Sequence, residues 1–247
     1  MSTGHEESLN ISKEAKLYKG DMRDTAFINS VFEKEPGIKS VMHFAADSLV
    51  GESVTNPIKY YDNNVAGAIS LVKAMLAHKV SQIIFSSTAA TYGESQYNPI
   101  DENHPTIPTS TYGSSKLMME KIFEDCSKAY GIRYVSLRYF NVAGAHCTGD
   151  IGEDHKTETH LIPLILKVAL GLRDDIKIFG NDWNTRDGTC IRDYIHMDDL
   201  IDAHVKALDY LKKGGESSIV NLGTETGSTV LEVIQACREV TGHPIPS

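Results

Sequence analysis

The chain is predicted to be an α/β protein: a Rossmann-like parallel sheet with helices on both faces, joined to a smaller mixed α/β lobe. Three observations carry this. Short apolar runs of strand length alternate with helical stretches as far as about residue 144, the rhythm of a parallel sheet covered by helices. The runs end in small or polar residues, where ligands of open parallel sheets bind. Beyond residue 144 the rhythm breaks into a polar loop, isolated helices and short strands.

In order along the chain, residues 15–19 and 40–45 read as short buried strands. Between them residues 24–35 form a helix with Ala26, Phe27, Val31 and Phe32 at helical spacing, stopped by Pro36-Gly37. A second helix opens near Asn56-Pro57 with the stripe Ile58, Tyr61, Val65, Ile69, Val72 and Leu76. Residues 82–86 follow as a strand. A loop with Pro99, Pro105 and Pro108 leads to a helix whose apolar face takes in Leu117, Met118, Ile122 and Phe123. The next strand, residues 134–140, runs into Asn141-Val142-Ala143-Gly144, a turn of small residues that a ligand can approach.

In the second half, residues 145–159 read as a polar loop, 161–171 as a helix and 176–179 as a short strand. Ile191-Arg192-Asp193-Tyr194-Ile195-His196 precedes a helix opening at Asp198-Asp199, residues 218–222 return to the main sheet, and 230–240 form the last helix. The predicted division is residues 1–144 for a nucleotide-binding part and 145–247 for a substrate lobe, interleaved through a returning strand near 218–223.

A net charge of −9 disfavours nucleic acid and anionic membranes, both of which select clustered Lys and Arg. Cys126, Cys147, Cys190 and Cys237 are widely spaced, with no Cys-x-x-Cys, so neither a zinc knuckle nor a disulfide framework is expected. With a polar, acidic amino terminus unlike a signal peptide and no apolar run of spanning length, a reducing cytoplasm fits best.

The chemistry centres on Tyr112-Gly113-Ser114-Ser115-Lys116. A Tyr and a Lys four residues apart share one helix face, so the ammonium can favour the ionised phenol, whose unperturbed pKa near ~10 is too high for a base at neutral pH. Tyr-x-x-x-Lys is common on helices and carries weight only in context. Here the context is a set of residues at strand ends: Asp21, Ala45-Ala46, Ser86-Ser87-Thr88 and Asn141. Thr88 offers a hydroxyl to share the moving proton. Glu153, Asp154, His155, Glu158 and His160 crowd a short stretch, but His-x-x-x-x-His is not a one-face helical pair, and no metal is expected there.

Several further segments stand in order with that site: His43-Phe44-Ala45-Ala46, Val50-Gly51-Glu52-Ser53, Tyr60-Tyr61-Asp62-Asn63-Asn64-Val65, Phe85 to Gly93, Arg138-Tyr139-Phe140-Asn141, Ile178-Phe179-Gly180 and Arg192 to His196. Together they resemble the extended short-chain dehydrogenase/reductase family, and within it the members that invert UDP-hexoses at C4. The resemblance implies NAD as cofactor, a UDP-sugar as substrate, interconversion of UDP-galactose and UDP-glucose through oxidation at C4, and a homodimer. It implies that Tyr112, Lys116 and Thr88 are catalytic. It places Asp21, Met22, Phe44, Ala45, Ala46, Asn63, Ser86, Ser87, Tyr112, Lys116 and Phe140 at the cofactor. Thr88, Tyr112, Asn141, His160, Leu161, Ile178, Phe179 and Arg192 would hold the UDP-sugar.

The alternative within the family is a nucleotide-sugar 4,6-dehydratase, whose members carry Asp-Glu after the Thr; Ala89-Ala90 stand here and argue against dehydration. The expected Gly-x-Gly-x-x-Gly that holds a dinucleotide pyrophosphate is not in the sequence, nor is the acid that follows it. Against the family pattern the chain lacks its first βαβ segment and a carboxyl-terminal stretch. This leads to the expectation of a truncated chain that binds NAD weakly or not at all, with a non-enzymatic remnant as the second alternative.

Overall fold

In the computed structural model the described residues are 4–12 and 14–247; residues 1–3, part of the polar amino-terminal stretch, lie outside them. The chain divides into two units, Glu14–Phe140 with Ile201–Leu222, and Met1–Lys13 with Asn141–Leu200 and Gly223–Ser247. The sequence reading placed the boundary at 144; by contacts it falls at Phe140, and the return covers most of a helix as well as a strand.

The first unit is built on α1 (Thr25–Lys34), β1 (Ser40–His43), α2 (Val50–Thr55), α3 (Pro57–Tyr60), a π-helical turn (Tyr61–Ala66), α4 (Gly67–Ala77), β2 (Gln82–Ser86), α5 (Thr111–Tyr130) and β3 (Arg133–Tyr139). Asp24 caps α1 by accepting from the Phe27 N–H at 3.0 Å, and Ser110 caps α5 through the Gly113 N–H at 3.1 Å. Four strands pair in parallel in the order β1, β2, β3, β7, where β7 is Ser218–Leu222.

The two faces of this sheet follow from strand alternation. Ile83 and Phe85 point to one face and join Ile28 and Phe32 of α1, Leu71 and Met75 of α4, and Met119 and Phe123 of α5. Ile84, Val135 and Leu137 point to the other and meet Ala207 and Leu211 of α7 (Met197–Lys212). Burying both faces is what allows β2 to read as an almost unbroken apolar run.

Several local expectations change. Residues 15–19 are not a strand: among the described residues they join no ladder, without which a strand does not exist, and Lys16 and Tyr18 are tied through their side chains to Glu35 instead. In α1 the buried pair is Ile28 and Phe32, while Ala26 is exposed. Of the stripe 58/61/65/69/72/76, Val72 is buried in the core as expected, Tyr61 and Val65 are half-buried, and Ile58, Ile69 and Leu76 are exposed, Ile58 at 74%; Tyr60, Asn64, Gly67, Leu71 and Met75 also face inward. The π turn inserts one residue per turn and shifts the phase that a 3.6-residue period assumes. In α5 the inward face is Tyr112, Lys116, Met119, Glu120 and Phe123, whereas Met118 is exposed. A buried charged pair had hidden it from a hydrophobicity count.

Gly113 lets α5 approach the turn after β2. A methyl there would overlap the Ala90 carbonyl oxygen and lie 3.0 Å from Pro108 Cβ. Gly113→Ala is therefore expected to cost about 1–3 kcal/mol of stability, as overpacking does, read as a lowered urea midpoint.

The second unit contains β4 (Asn141–Ala143), α6 (Leu161–Ala169), β5 (Ile191–Arg192), β6 (Tyr194–His196), β8 (Ser228–Thr229) and α8 (Val230–Thr241). Ile165, Val168, Ile176, Val233, Ile234 and Ile245 form its core. Residues 141–143, read as part of a turn, pair in parallel with β6. Residues 176–179 form no ladder: the Ile176 N–H donates to the Pro246 carbonyl, and burial of Ile176 rather than strand pairing holds the segment. Thr229 and Glu232 form a capping box at α8.

Candidate active site

The carboxyl ends of β1, β2 and β3 bring together most of the residues predicted in the first unit. β1 leads into Phe44-Ala45-Ala46, with Phe44 and Ala45 exposed; β2 leads into Ser87 and Thr88; β3 leads into Phe140. Two residues with no polar side chain at 45 and 46 leave a smooth ledge against which a flat group can lie.

Strand alternation splits the two serines. Ser86 Oγ is 2.7 Å from His204 Nε2 of α7, while Ser87 Oγ donates to Glu120 Oε1 of α5 at 2.5 Å. Glu120 in turn accepts from Arg138 of β3, at 2.9 Å from Nε and 2.5 Å from Nη2, both side chains being buried. Arg138 also lies over the Tyr92 ring, 4.8 Å from its centroid. The end of β2 is thus fixed from both faces.

Tyr112 opens the inward face of α5, and its hydroxyl hydrogen-bonds with the Thr88 side chain. Lys116, one turn on, donates from Nζ to the Ser86 carbonyl at 2.8 Å and sits 5.9 Å from the Tyr112 ring centroid. Both are buried, and burial dominates both titrations. It raises the Tyr112 phenol, with Tyr139 and Tyr60 adding and Thr88 opposing. It lowers Lys116 to about 7, partly offset by Glu120. The helix spacing predicts that Lys116 lowers Tyr112; instead Lys116 Nζ is bound to the Ser86 carbonyl and desolvation raises the phenol.

Asn63 lies in the π turn beside Asn64, whose side chain accepts from the Asp47 N–H at 2.8 Å and donates to Ser115 Oγ at 3.0 Å. This ties the stretch after β1 to α5. Asp21 follows an extended segment rather than a ladder strand. Its carboxylate is held at about 2 by hydrogen bonds from the Arg23 side chain and N–H, and Arg23 also pairs with Asp62. Met22 packs into the core beneath.

Two buried histidines stand beside the site: His43, which the sequence offers only within a resembling segment and without a role, and His204, which no motif marks. His204 occupies the apolar stripe Leu200, His204, Ala207, Leu211 of α7, and a polar residue in such a stripe is the signal that was there to find. His43 stacks on Phe85 at 5.7 Å, and its Nε2 has no partner. Burial, then the Lys116 charge, lowers it to about 3. Between pH 6.5 and 3 the unfolded chain binds a proton that the folded one does not, so stability falls as pH falls. The expected slope is about 1.4 kcal/mol per pH unit from this group, measured by urea unfolding and flattened in His43→Phe.

The residues assigned to the UDP-sugar by resemblance, apart from Thr88 and Tyr112, lie in the second unit. Asn141 starts β4 and donates from both its N–H and Nδ2 to the Asp193 carbonyl, at 3.0 and 3.1 Å. His160 precedes α6, Leu161 begins it, and Ile178 packs on the core beside Phe179, which is 87% exposed. Arg192 is exposed on β5, its Nη1 turned back to the Ile191 carbonyl. Glu153, His155, Glu158 and His160 come within 4.8 Å of one another through their ligand atoms, a proximity made by the loop and not by the helical spacing considered from sequence. Their groups are engaged with each other: Glu153 with both imidazoles, and Glu158 with the N–H groups of Thr159 and His160.

The residues present are compatible with a flat, polar cofactor such as NAD: Ala45 and Ala46 carry no polar side chain, and Asn63 and Lys116 carry N–H donors, one of each held by Asn64 and by the Ser86 carbonyl. Among the described residues no helix is long and apolar enough to cross a membrane.

The model of the NAD dependent epimerase/dehydratase family matches residues 2–223. Over its whole length the chain is 54% identical to a UDP-glucose 4-epimerase of Halalkalibacterium halodurans, spanning 73% of that protein, and 52% identical to one of Streptococcus mutans, spanning 74%. A crystal structure of a UDP-glucose 4-epimerase superimposes with a TM-score of 0.96 at 55% identity, covering 100% of this chain and 74% of that one. The Brucella ovis UDP-glucose 4-epimerase in complex with NAD gives 0.95 at 44% identity, with 99% and 74% covered.

Proposed function

The chain belongs to the NAD dependent epimerase/dehydratase family, and we propose that it interconverts UDP-galactose and UDP-glucose by transient oxidation at C4 of the hexose. One observation carries the reading: a buried Tyr112 hydroxyl bonded to Thr88, with Lys116 a turn behind it, in a chain half identical throughout to UDP-glucose 4-epimerases. Inversion at C4 cannot proceed by deprotonating carbon, because that hydrogen is not acidic. NAD, when bound, supplies the oxidation at C4 and a positive ring that favours an ionised phenol.

The chain's own residues move the proton and hold the substrate. Tyr112, ionised beforehand by loss of its own proton to solvent, takes the C4 hydroxyl proton at its phenolate oxygen and later returns it, while Thr88 shares that hydrogen bond during transfer. Lys116, anchored on the Ser86 carbonyl, keeps a positive charge or a donor on the inward face of α5. Asn141, His160, Leu161, Ile178, Phe179 and Arg192 offer amide, imidazole, apolar and guanidinium groups for a nucleotide sugar, so that binding energy is gained away from the reacting carbon. Asp21, Met22, Phe44, Ala45, Ala46, Asn63, Ser86, Ser87 and Phe140 are assigned to the cofactor. The absence of an acid pair after Thr88, where Ala89 and Ala90 stand, favours epimerisation over 4,6-dehydration.

Two coarser proposals accompany this. A homodimer is supported by exposed Ile69 and Leu76 on α4 and Met118 on α5. A reducing cytoplasm is supported by four free cysteines. The test is direct: purified chain with NAD+ and UDP-galactose, products followed by proton NMR. Appearance of UDP-glucose is expected when NAD+ is supplied in large excess, which offsets the weak cofactor binding expected of a sequence without the glycine loop; a 4-keto-6-deoxy product would make it a dehydratase, and neither product at saturating NAD+ would remove the enzymatic reading.

A further inference from the structure

His204 is 1% exposed on the inward face of α7, with Nε2 2.7 Å from Ser86 Oγ. Ser86 is a junction. Its carbonyl accepts from Lys116 Nζ at 2.8 Å, and its hydroxyl also bonds the Tyr139 side chain. The His204 ring lies 4.7 Å from that of Phe44, the exposed residue that follows β1, and 6.5 Å from that of Tyr139. One imidazole therefore touches the ends of three neighbouring strands. On the other face the same strand end is held by the Ser87–Glu120–Arg138 chain of hydrogen bonds. Without His204, Ser86 would keep its ladder pairing and the Tyr139 side chain but lose its link to α7, and the carbonyl that holds Lys116 would be less firmly set.

We propose that His204 is a positioning residue for the proton-transfer site: through Ser86 it fixes the carbonyl on which Lys116 is anchored, and through its ring it sets the face of Phe44. It touches no reacting atom. The kinetic part of this inference rests on the epimerase reading; the placement of Lys116 does not.

The experiment uses the whole chain and two readouts. In the first, reductive methylation of lysines is followed residue by residue by mass spectrometry. His204→Leu, similar in volume but unable to hydrogen-bond, is expected to raise labelling at Lys116 several-fold while Lys59 and Lys121 are unchanged and melting stays cooperative. His204→Gln, whose amide reaches about where Nε2 lies, is expected to restore protection. In the second, with NAD+ and UDP-galactose, His204→Leu lowers kcat about 10- to 100-fold, the scale of a small misplacement near the chemistry, and leaves KM within about twofold. Ser86→Ala gives a similar loss, and the double variant no more than either alone, because both remove one connection. Unchanged Lys116 labelling in His204→Leu, or failure of Gln to restore it, would overturn the proposal. So would fully additive kinetic losses. If the parent chain shows no turnover, the epimerase reading fails while the labelling result still decides the role of His204.

Discussion

Tyr112→Phe is expected to lower kcat by about 10²- to 10⁴-fold, the contribution of a positioned proton-transfer group, with KM for the UDP-sugar little changed. The substitution removes one oxygen and keeps the ring, so packing in the inward face of α5 is retained. Thr88 loses a hydrogen-bond partner but keeps the Ala90 N–H, which donates to its Oγ at 3.1 Å. Burial raises the parent phenol, so at neutral pH the unliganded site holds it protonated. Ionisation is gained as pH rises, and the parent rate should climb on the alkaline side of neutrality. Tyr112→Phe should lose that limb. A variant that keeps more than about one tenth of the parent kcat would show that another group moves the proton, since even weak general-base catalysis exceeds this factor.

The second large effect is on stability. Glu120→Gln leaves the Arg138 guanidinium buried with its opposite charge gone, which is expected to cost about 3–5 kcal/mol. Among the described residues Arg138 has no second carboxylate partner: its side chain is 5% exposed, and its contact with Tyr92, through the ring and a hydrogen bond, brings no negative charge at neutral pH. Urea denaturation measures the loss as a lowered midpoint with an unchanged slope. Glu120→Met with Arg138→Met is expected to recover most of it, because the desolvation cost of both charges disappears together. If Glu120→Gln shifts stability by less than about 1 kcal/mol, the pair behaves as a surface ion pair does and contributes little to the fold despite its burial. Ser87 gives the pair a local consequence, since its hydroxyl loses a charged acceptor in either variant.

The alternation of strands and helices, the return of residues 218–222 to the main sheet, and the Tyr112–Lys116 helix face set beside Ser86 and Thr88 at the end of β2 were legible in the sequence; the strand order was not. Each rests on short-range periodicity or on a motif whose spacing is local. What escaped were features that depend on a partner far along the chain. Glu120 looks like a surface residue of an amphipathic helix until Ser87 and Arg138 are placed beside it. His204 is an anomaly in a stripe whose meaning needs Ser86, 118 positions away. Residues 15–19 and 176–179 have strand-like composition, yet composition does not supply a neighbour to pair with. The reversed sign at Tyr112 has the same origin: spacing brings the ammonium near, but only burial tells how much water both groups have lost.

The π turn at Tyr61–Ala66 can be viewed as an inserted residue that was never removed. Deleting one residue there would heal the helix into a regular one, and the segment on one side would rotate by about 100° relative to the other. Asn64 could then no longer reach both Asp47 and Ser115. Sequence length in this stretch is thus a functional variable in its own right: single substitutions leave the phase intact, whereas a gain or loss of one position trades a more regular helix for a disconnected site.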